Sequence, residues 1–172
     1  MFILTAFLLM ANAFVANSQI RKAFTQRTSS YSPTKKIYNI KGDFTMIGNT
    51  NLTLQRYEVN RNNSNNTMKY VDTDGVSSTQ NSSSATLSFS SENGALADCS
   101  EIVYAGLYWT GRTSSSVTEL SKRSIKFKGP GQTAYTSLTA SVNDILYPGD
   151  ENMYSAYVEV TNIVKNTKAG IS

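Results

Sequence analysis

Residues 101–112 read Glu-Ile-Val-Tyr-Ala-Gly-Leu-Tyr-Trp-Thr-Gly-Arg, and the reading of this stretch decides the fold class. It is the most apolar and aromatic run beyond the N-terminus and contains the single tryptophan. With a period of two, Val103, Ala105, Leu107 and Trp109 point to one side, and Ile102, Tyr104, Gly106 and Tyr108 to the other. Both sets are largely apolar, which predicts a central strand covered on both faces rather than an edge strand with one wet side. Gly106 weakens such a strand unless another group packs closely against its bare backbone. Gly111 closes the run.

Outward from this strand the same alternation recurs. Upstream, Tyr38, Ile40, Phe44 and Met46 share one side from Ile37 onward, with Gly42 as a bulge between them. Gly48-Asn49 marks a turn, and Leu52 and Leu54, continued by Tyr57, form the next strand. Met68–Val71 follows the Asn-rich loop at residues 60–66, which has nothing to bury. Ala85, Leu87 and Phe89 alternate with Thr86, Ser88 and Ser90 as a half-buried strand. Glu92-Asn93-Gly94 turns the chain, and Cys99 is expected as a small buried residue leading into the central strand.

Downstream, Ile125 and Phe127 precede Gly129-Pro130-Gly131, a strong turn signal. Residues 134–142 alternate again, Pro148-Gly149-Asp150 turns, and Tyr154, Ala156, Val158 and Val160 line one face of a further strand. Val160, Ile163 and Val164 have the spacing of a short helical turn ending near Gly170. About eight short strands separated by turn signals, with no long helical pattern, predict an all-β chain: a two-sheet antiparallel sandwich, jelly-roll-like.

The N-terminus is different. Residues 2–10 are an apolar run followed by small residues, and Ala16-Asn17-Ser18 fits a signal-peptidase site. No Lys or Arg lies between Met1 and that run, which leaves an upstream start open. The expected organisation is a signal peptide at 1–18, an extended polar leader at 19–36 and a β-sandwich domain at 37–172. The domain is long enough to bury a core without disulfides. Cys99, the one cysteine, could pair only outside this chain.

Composition narrows the chemistry. Only 16% of residues are charged, below the usual quarter or so, while Tyr, Thr, Ser and Asn are abundant, as in many secreted β domains. The formal charge is +4 with scattered basic residues. Lys126 and Lys128 flank Phe127 and read as the solvated face of a strand, so nucleic acid is not an expected partner. The absence of histidine removes Ser-His-Asp and Cys-His catalysis and every His-containing metal site.

Asp72-Thr73-Asp74-Gly75 is the strongest metal signal. A hard cation wants several oxygen ligands from a tight turn, so calcium is the candidate ion at Asp72 and Asp74. Placed as an EF-hand loop around Gly75, however, the terminal ligand positions fall on Tyr70 and Asn81, and an ordinary Asp-Gly turn is the simpler reading. No cofactor is otherwise implied. Asp144, Asp150 and Glu151 form a second acidic group, but no motif selects a catalytic pair, and the chain is not expected to be an enzyme. Tyr104 and Tyr108 are the candidate ligand-binding residues. On an uncovered β face they would stack against sugar rings while Asn and Ser bond the hydroxyls; the alternative is that they belong to the core. Four N-glycosylation sequons occur, a frequency expected by chance in so Asn- and Ser-rich a chain.

Two runs resemble a known group of proteins. Tyr-Asn-Ile-Lys-Gly-Asp-Phe-Thr-Met-Ile-Gly-Asn-Thr at 38–50 and Ile-Val-Tyr-Ala-Gly-Leu-Tyr-Trp-Thr-Gly-Arg at 102–112 are similar to the N-terminal region of large secreted surface proteins of Bacteroidetes-type bacteria, of adhesin or gliding-motility-associated kind. Lys-Phe-Lys-Gly-Pro at 126–130 and Tyr-Val-Glu-Val-Thr at 157–161 continue the likeness. The resemblance implies export, type IX secretion to the cell surface, and a non-catalytic β-rich module at the head of a longer protein, of which this chain is expected to be an N-terminal fragment. The implied partners are a cell-surface or extracellular glycan or protein, and secretion machinery engaging regions outside these residues, with no transmembrane span. A carbohydrate-binding or lectin-like module of an exported polysaccharide-processing protein is the second expectation, and a structural stalk domain the third.

Overall fold

A computed structural model describes residues 25–31, 34–60, 67–149 and 152–165. The expected signal peptide, the start of the leader, the loop at 61–66 and the end of the final helical turn lie outside these residues.

The described chain is mostly β, with antiparallel pairing throughout. Its strands are β1 (Leu52–Leu54), β2 (Met68–Tyr70), β3 (Gly106–Arg112), β4 (Ser124–Phe127), β5 (Thr136–Thr139), β6 (Ile145–Leu146) and β7 (Met153–Glu159). Two short helices, α1 (Glu119–Arg123) and α2 (Thr161–Val164), complete the elements that matter here. The strands fall into three sheets, β1-β2, β3-β7-β6 and β4-β5.

Turn chemistry sets two of these pairings. Gln132 N–H donates to Gly129 C=O at 3.1 Å and Gly131 has φ +72°, so Pro130-Gly131 occupies the corner of a type II turn leading from β4 toward β5. The φ of Gly149 is +89°, which only glycine adopts cheaply, in the turn before β7. Helix α1 is capped by Thr118, whose side chain accepts from Ser121 N–H, with Glu119 in its first turn and Lys122 and Arg123 in its last. Those charges match the helix dipole.

The core is small and sits on one face of the three-stranded sheet. Ala140, Ile145 and Ala156 are buried, and Trp109, Tyr154 and Val158 pack against them. The register Leu107↔Val158, Trp109↔Ala156 and Gly111↔Tyr154 puts the apolar sides of β3 and β7 together. The alternation read for β7 is therefore realised, with Val160 also buried. The short helical turn read at Val160–Val164 is present as α2.

Three expectations are corrected. The centre of the main sheet is β7, which pairs with both β3 and β6, whereas β3 is an edge strand. Apolar residues on both sides of a strand report what covers its two faces. Which strands lie along its two edges is a perpendicular direction, to which the side-chain pattern is blind. Cys99 is exposed, not buried, because it ends a 3-10 turn at Ala97–Cys99 and the strand begins only at Gly106. Finally, residues 37–50 and 85–90 form no ladder. Leu87 and Phe89 keep the expected inward alternation, half-buried among exposed Thr86, Ser88 and Ser90, whereas Ala85 is exposed. Phe44 and Met46 are 82% and 87% exposed, since no strand among the described residues pairs with theirs.

The opposite face of the sheet is crossed by the N-terminal segment. Ser29 Oγ donates to Glu159 Oε1 at 2.9 Å and Ser30 N–H to Oε2 at 2.7 Å. Thr161 Oγ1 also donates to Oε1, at 2.9 Å, and the Tyr31 hydroxyl donates to the Glu159 carbonyl. Arg27 pairs with Asp144. Residues 27–31 are thus strapped across the end of β7 by a buried carboxylate whose two oxygens have three donors.

Candidate functional site

The face beneath that strap is where the sheet gathers its tyrosines. The pairs Gly106↔Glu159, Tyr108↔Tyr157 and Thr110↔Ser155 put the even-numbered residues of β3 and the odd-numbered residues of β7 on this side. Tyr108 and Tyr157 are direct cross-strand neighbours with ring centroids 4.8 Å apart and planes tilted by 48°, a favourable aromatic arrangement. Tyr104, just before β3, hydrogen-bonds hydroxyl to hydroxyl with Tyr157, and Tyr38 approaches Tyr104 at 5.7 Å between centroids.

Gly106 makes this convergence sterically allowed. A Cβ there would lie 2.8 Å from Tyr157 Cε2, 3.3 Å from Tyr108 Cε2 and 3.5 Å from the Tyr104 hydroxyl. The glycine that looks like a weakness in the strand is the floor over which three rings close.

The electrostatics favour the neutral form of two of these phenols, Tyr157 and Tyr104. Burial, together with the bond to Tyr104, pushes the Tyr157 hydroxyl far above the ordinary tyrosine range, and burial also raises Tyr104. The Arg27 guanidinium lies 3.8 Å from the Tyr157 ring centroid, a cation–π contact that also anchors the strap. Tyr157 is thereby covered, Tyr104 is partly covered, and Tyr108 remains 59% exposed. The arrangement is an aromatic platform with one open ring, suited to stacking and hydrogen bonding.

The sequence reading named Tyr104 and Tyr108, and the structure brings them to one face. It did not assign Tyr157, Tyr38, Arg27 or Glu159 to a site. One signal for Tyr157 was available: on its side of β7 it stands between two polar residues, Ser155 and Glu159. Arg27 carries no comparable signal, because only the tertiary path of the leader brings it within reach.

The second candidate, Asp72 and Asp74, forms a hydrogen-bonded turn. Asp72 Oδ1 accepts from Gly75 N–H at 3.0 Å, and Asp74 Oδ1 from Val76 N–H at 3.1 Å. Ser82 Oγ lies 3.1 Å from Asp72 Oδ1 and 3.0 Å from Asp74 Oδ1, so its single hydroxyl proton can serve either carboxylate. The Tyr135 hydroxyl donates to Asp74 Oδ2. With Tyr135 foremost, these donors hold the Asp74 carboxyl at about 2, below its ordinary value. The two carboxylates could contribute to a cation site, but among the described residues no third carboxylate or cysteine joins them. Asp144, from the other acidic group, is paired with Arg27 instead. Among the described residues no helix is long and apolar enough to cross a membrane.

Comparison with protein-family models, with curated proteins and with solved structures finds no match to this chain.

Proposed function

We propose that this chain is a non-catalytic binding module of a secreted bacterial cell-surface protein, of adhesin or gliding-motility-associated type, holding an extracellular glycan at its tyrosine face. The observation that carries the reading is the state of Tyr108: its ring is 59% exposed while its neighbours Tyr157 and Tyr104 are tied together by a hydrogen bond. A large apolar ring held ready on a sheet loses little conformational freedom on binding, which is how preorganised aromatic contacts gain affinity. A pyranose presents C–H groups on one face and hydroxyls at its rim, matching an open phenol ring bordered by hydroxyl and backbone groups.

The reading takes a two-layer sandwich as the complete architecture. It is supported by the alternating residues of 37–50 and 85–90, which have strand character but lack partners among the described residues. Export and surface attachment rest on the resemblance of the two quoted runs and on the signal-like N-terminus.

A glycan array probed with the wild-type chain and with Tyr108→Ala tests the proposal. Saturable wild-type binding that Tyr108→Ala abolishes, with stability changed by no more than about 1 kcal/mol as for most surface substitutions, is expected. Binding that survives Tyr108→Ala, or a wild type that binds no glycan, would sink it.

A further inference from the structure

The strap over the tyrosine face is held unevenly along its length. Ser29 is its anchor: its N–H donates to Lys35 C=O at 2.7 Å, and its buried hydroxyl donates to Glu159 Oε1. Ser30 N–H and the Tyr31 hydroxyl add their own bonds to Glu159 beside it. On the N-terminal side of Ser29 the ties are weaker. Gln26 Nε2 reaches Lys36 C=O only at 3.5 Å, and the ion pair of Arg27 with Asp144 joins side chains that are 36% and 30% exposed. An ion pair so open to water contributes little. The segment with the fewest buried contacts is the one that opens first.

That weakly held end bears on the platform. The Arg27 guanidinium carbon lies 3.8 Å from the Tyr157 ring centroid. Gly106 lies beneath the same ring and Tyr108 beside it, the two ring centroids 4.8 Å apart. Tyr157 is 7% exposed, against 59% for Tyr108. The guanidinium therefore stands where a second stacking surface would otherwise adjoin the open ring.

We propose that Arg27 is a gate on the tyrosine face: it covers Tyr157 while paired with Asp144, and it swings away on the Ser29 anchor to admit a ligand to two adjacent rings. The inference rests on the glycan reading of this face and adds Tyr157 to the site as a conditional contact. A sugar chain stacked on Tyr108 extends over Tyr157 only when Arg27 has left, because guanidinium and pyranose need the same ring face. The ligand thus selects the open state, and its apparent affinity is the two-ring affinity reduced by the fraction of open gates. One exposed ion pair and one exposed cation–π contact hold the gate closed by about a factor of ten. Salt shifts this balance. It screens the ion pair, whereas an uncharged sugar stacked on a phenol has no charge to screen.

Wild type, Arg27→Ala and Asp144→Asn test the gate, each titrated against an array of uncharged oligosaccharides at about 0.01 M and about 1 M salt. Arg27→Ala is expected to bind about tenfold more tightly than wild type at low salt, with an affinity that does not change with salt. Wild-type affinity should rise severalfold toward that value at high salt. Asp144→Asn should bind at low salt as wild type does at high salt. Hydroxyl-radical footprinting without sugar reads the gate independently: Tyr108 labels in all three proteins, and Tyr157 labels severalfold faster in Arg27→Ala than in wild type.

An Arg27→Ala affinity equal to or below that of wild type overturns the gate and leaves the glycan reading standing, as does a wild-type affinity indifferent to salt. Tyr157 labelling that Arg27→Ala leaves unchanged overturns the gate whether or not a sugar binds. Labelling as expected with no oligosaccharide bound by any of the three proteins overturns the glycan reading, and with it the role of Arg27 in ligand access.

Discussion

Replacing Trp109 with alanine removes the largest side chain packed on the core, and the cost can be worked from its surroundings. The indole is half-buried against Ala140, Ile145 and Ala156. A tryptophan buries up to about 250 Å², so half burial withdraws roughly 120 Å² from water, worth about 3 kcal/mol at ~25 cal/mol per Å². Its Nε1–H also donates to the Lys122 carbonyl at 2.9 Å, tying α1 to β3, and that bond adds about 1 kcal/mol. The sum, near 4 kcal/mol, falls within the range for truncating large core side chains and is a large part of the roughly 5–15 kcal/mol that stabilises a domain. Because this is the only tryptophan, urea unfolding should be followed by far-UV circular dichroism rather than indole fluorescence. Trp109→Ala is expected to lose about 4 kcal/mol and Trp109→Phe, which keeps most of the area, about half as much. Tyr108→Ala, on the opposite face, serves as the control. A Trp109→Ala midpoint within the error of wild type would refute the assignment of this face as core.

Acid unfolding should depend on the Asp74–Tyr135 contact. The folded carboxyl titrates at about 2, below the ~3.9 of an unfolded aspartate. The contact therefore contributes fully above the unfolded value and is lost as pH falls through the folded one. Tyr135→Phe should flatten the pH dependence of stability between those limits, more visibly at low salt because the group is only partly buried; identical pH slopes for the two proteins would exclude the contact. The strap makes a separate prediction. Glu159→Ala leaves the Ser29 and Thr161 hydroxyls and the Ser30 N–H without their acceptor, at a cost of about 1–3 kcal/mol, and should speed tryptic cleavage after Arg27. An unchanged cleavage rate would show that residues 27–31 are held by something other than Glu159.

The side-chain alternation of 101–112 and 154–160 was sufficient to determine the mostly β character of the described chain, the inward set of Leu107, Trp109, Ala156 and Val158, and the shared face of Tyr104 and Tyr108. Those properties follow from strand geometry within a few residues, and the period-two pattern records them directly. The turn at Gly129-Pro130-Gly131 was legible for the same reason, since proline fixes its own φ and glycine admits a positive one.

What the pattern could not contain is anything set along the sheet or through long loops. The exchange of roles between β3 and β7 depends on backbone bonds running perpendicular to the side chains, and both strands have similar apolar content whichever is central. The grouping of Tyr157 and Arg27 with Tyr108, and of Ser29 with Glu159 some 130 residues away, depends on where the leader crosses the sheet. Ser82 and Tyr135 reach Asp74 in the same way, across loops whose composition does not specify their path. Local covalent preference decided which residues face inward and where the chain turns. Tertiary packing alone decided which strand lies at the centre and which distant polar groups meet, because those contacts join residues whose sequence neighbours carry no trace of them.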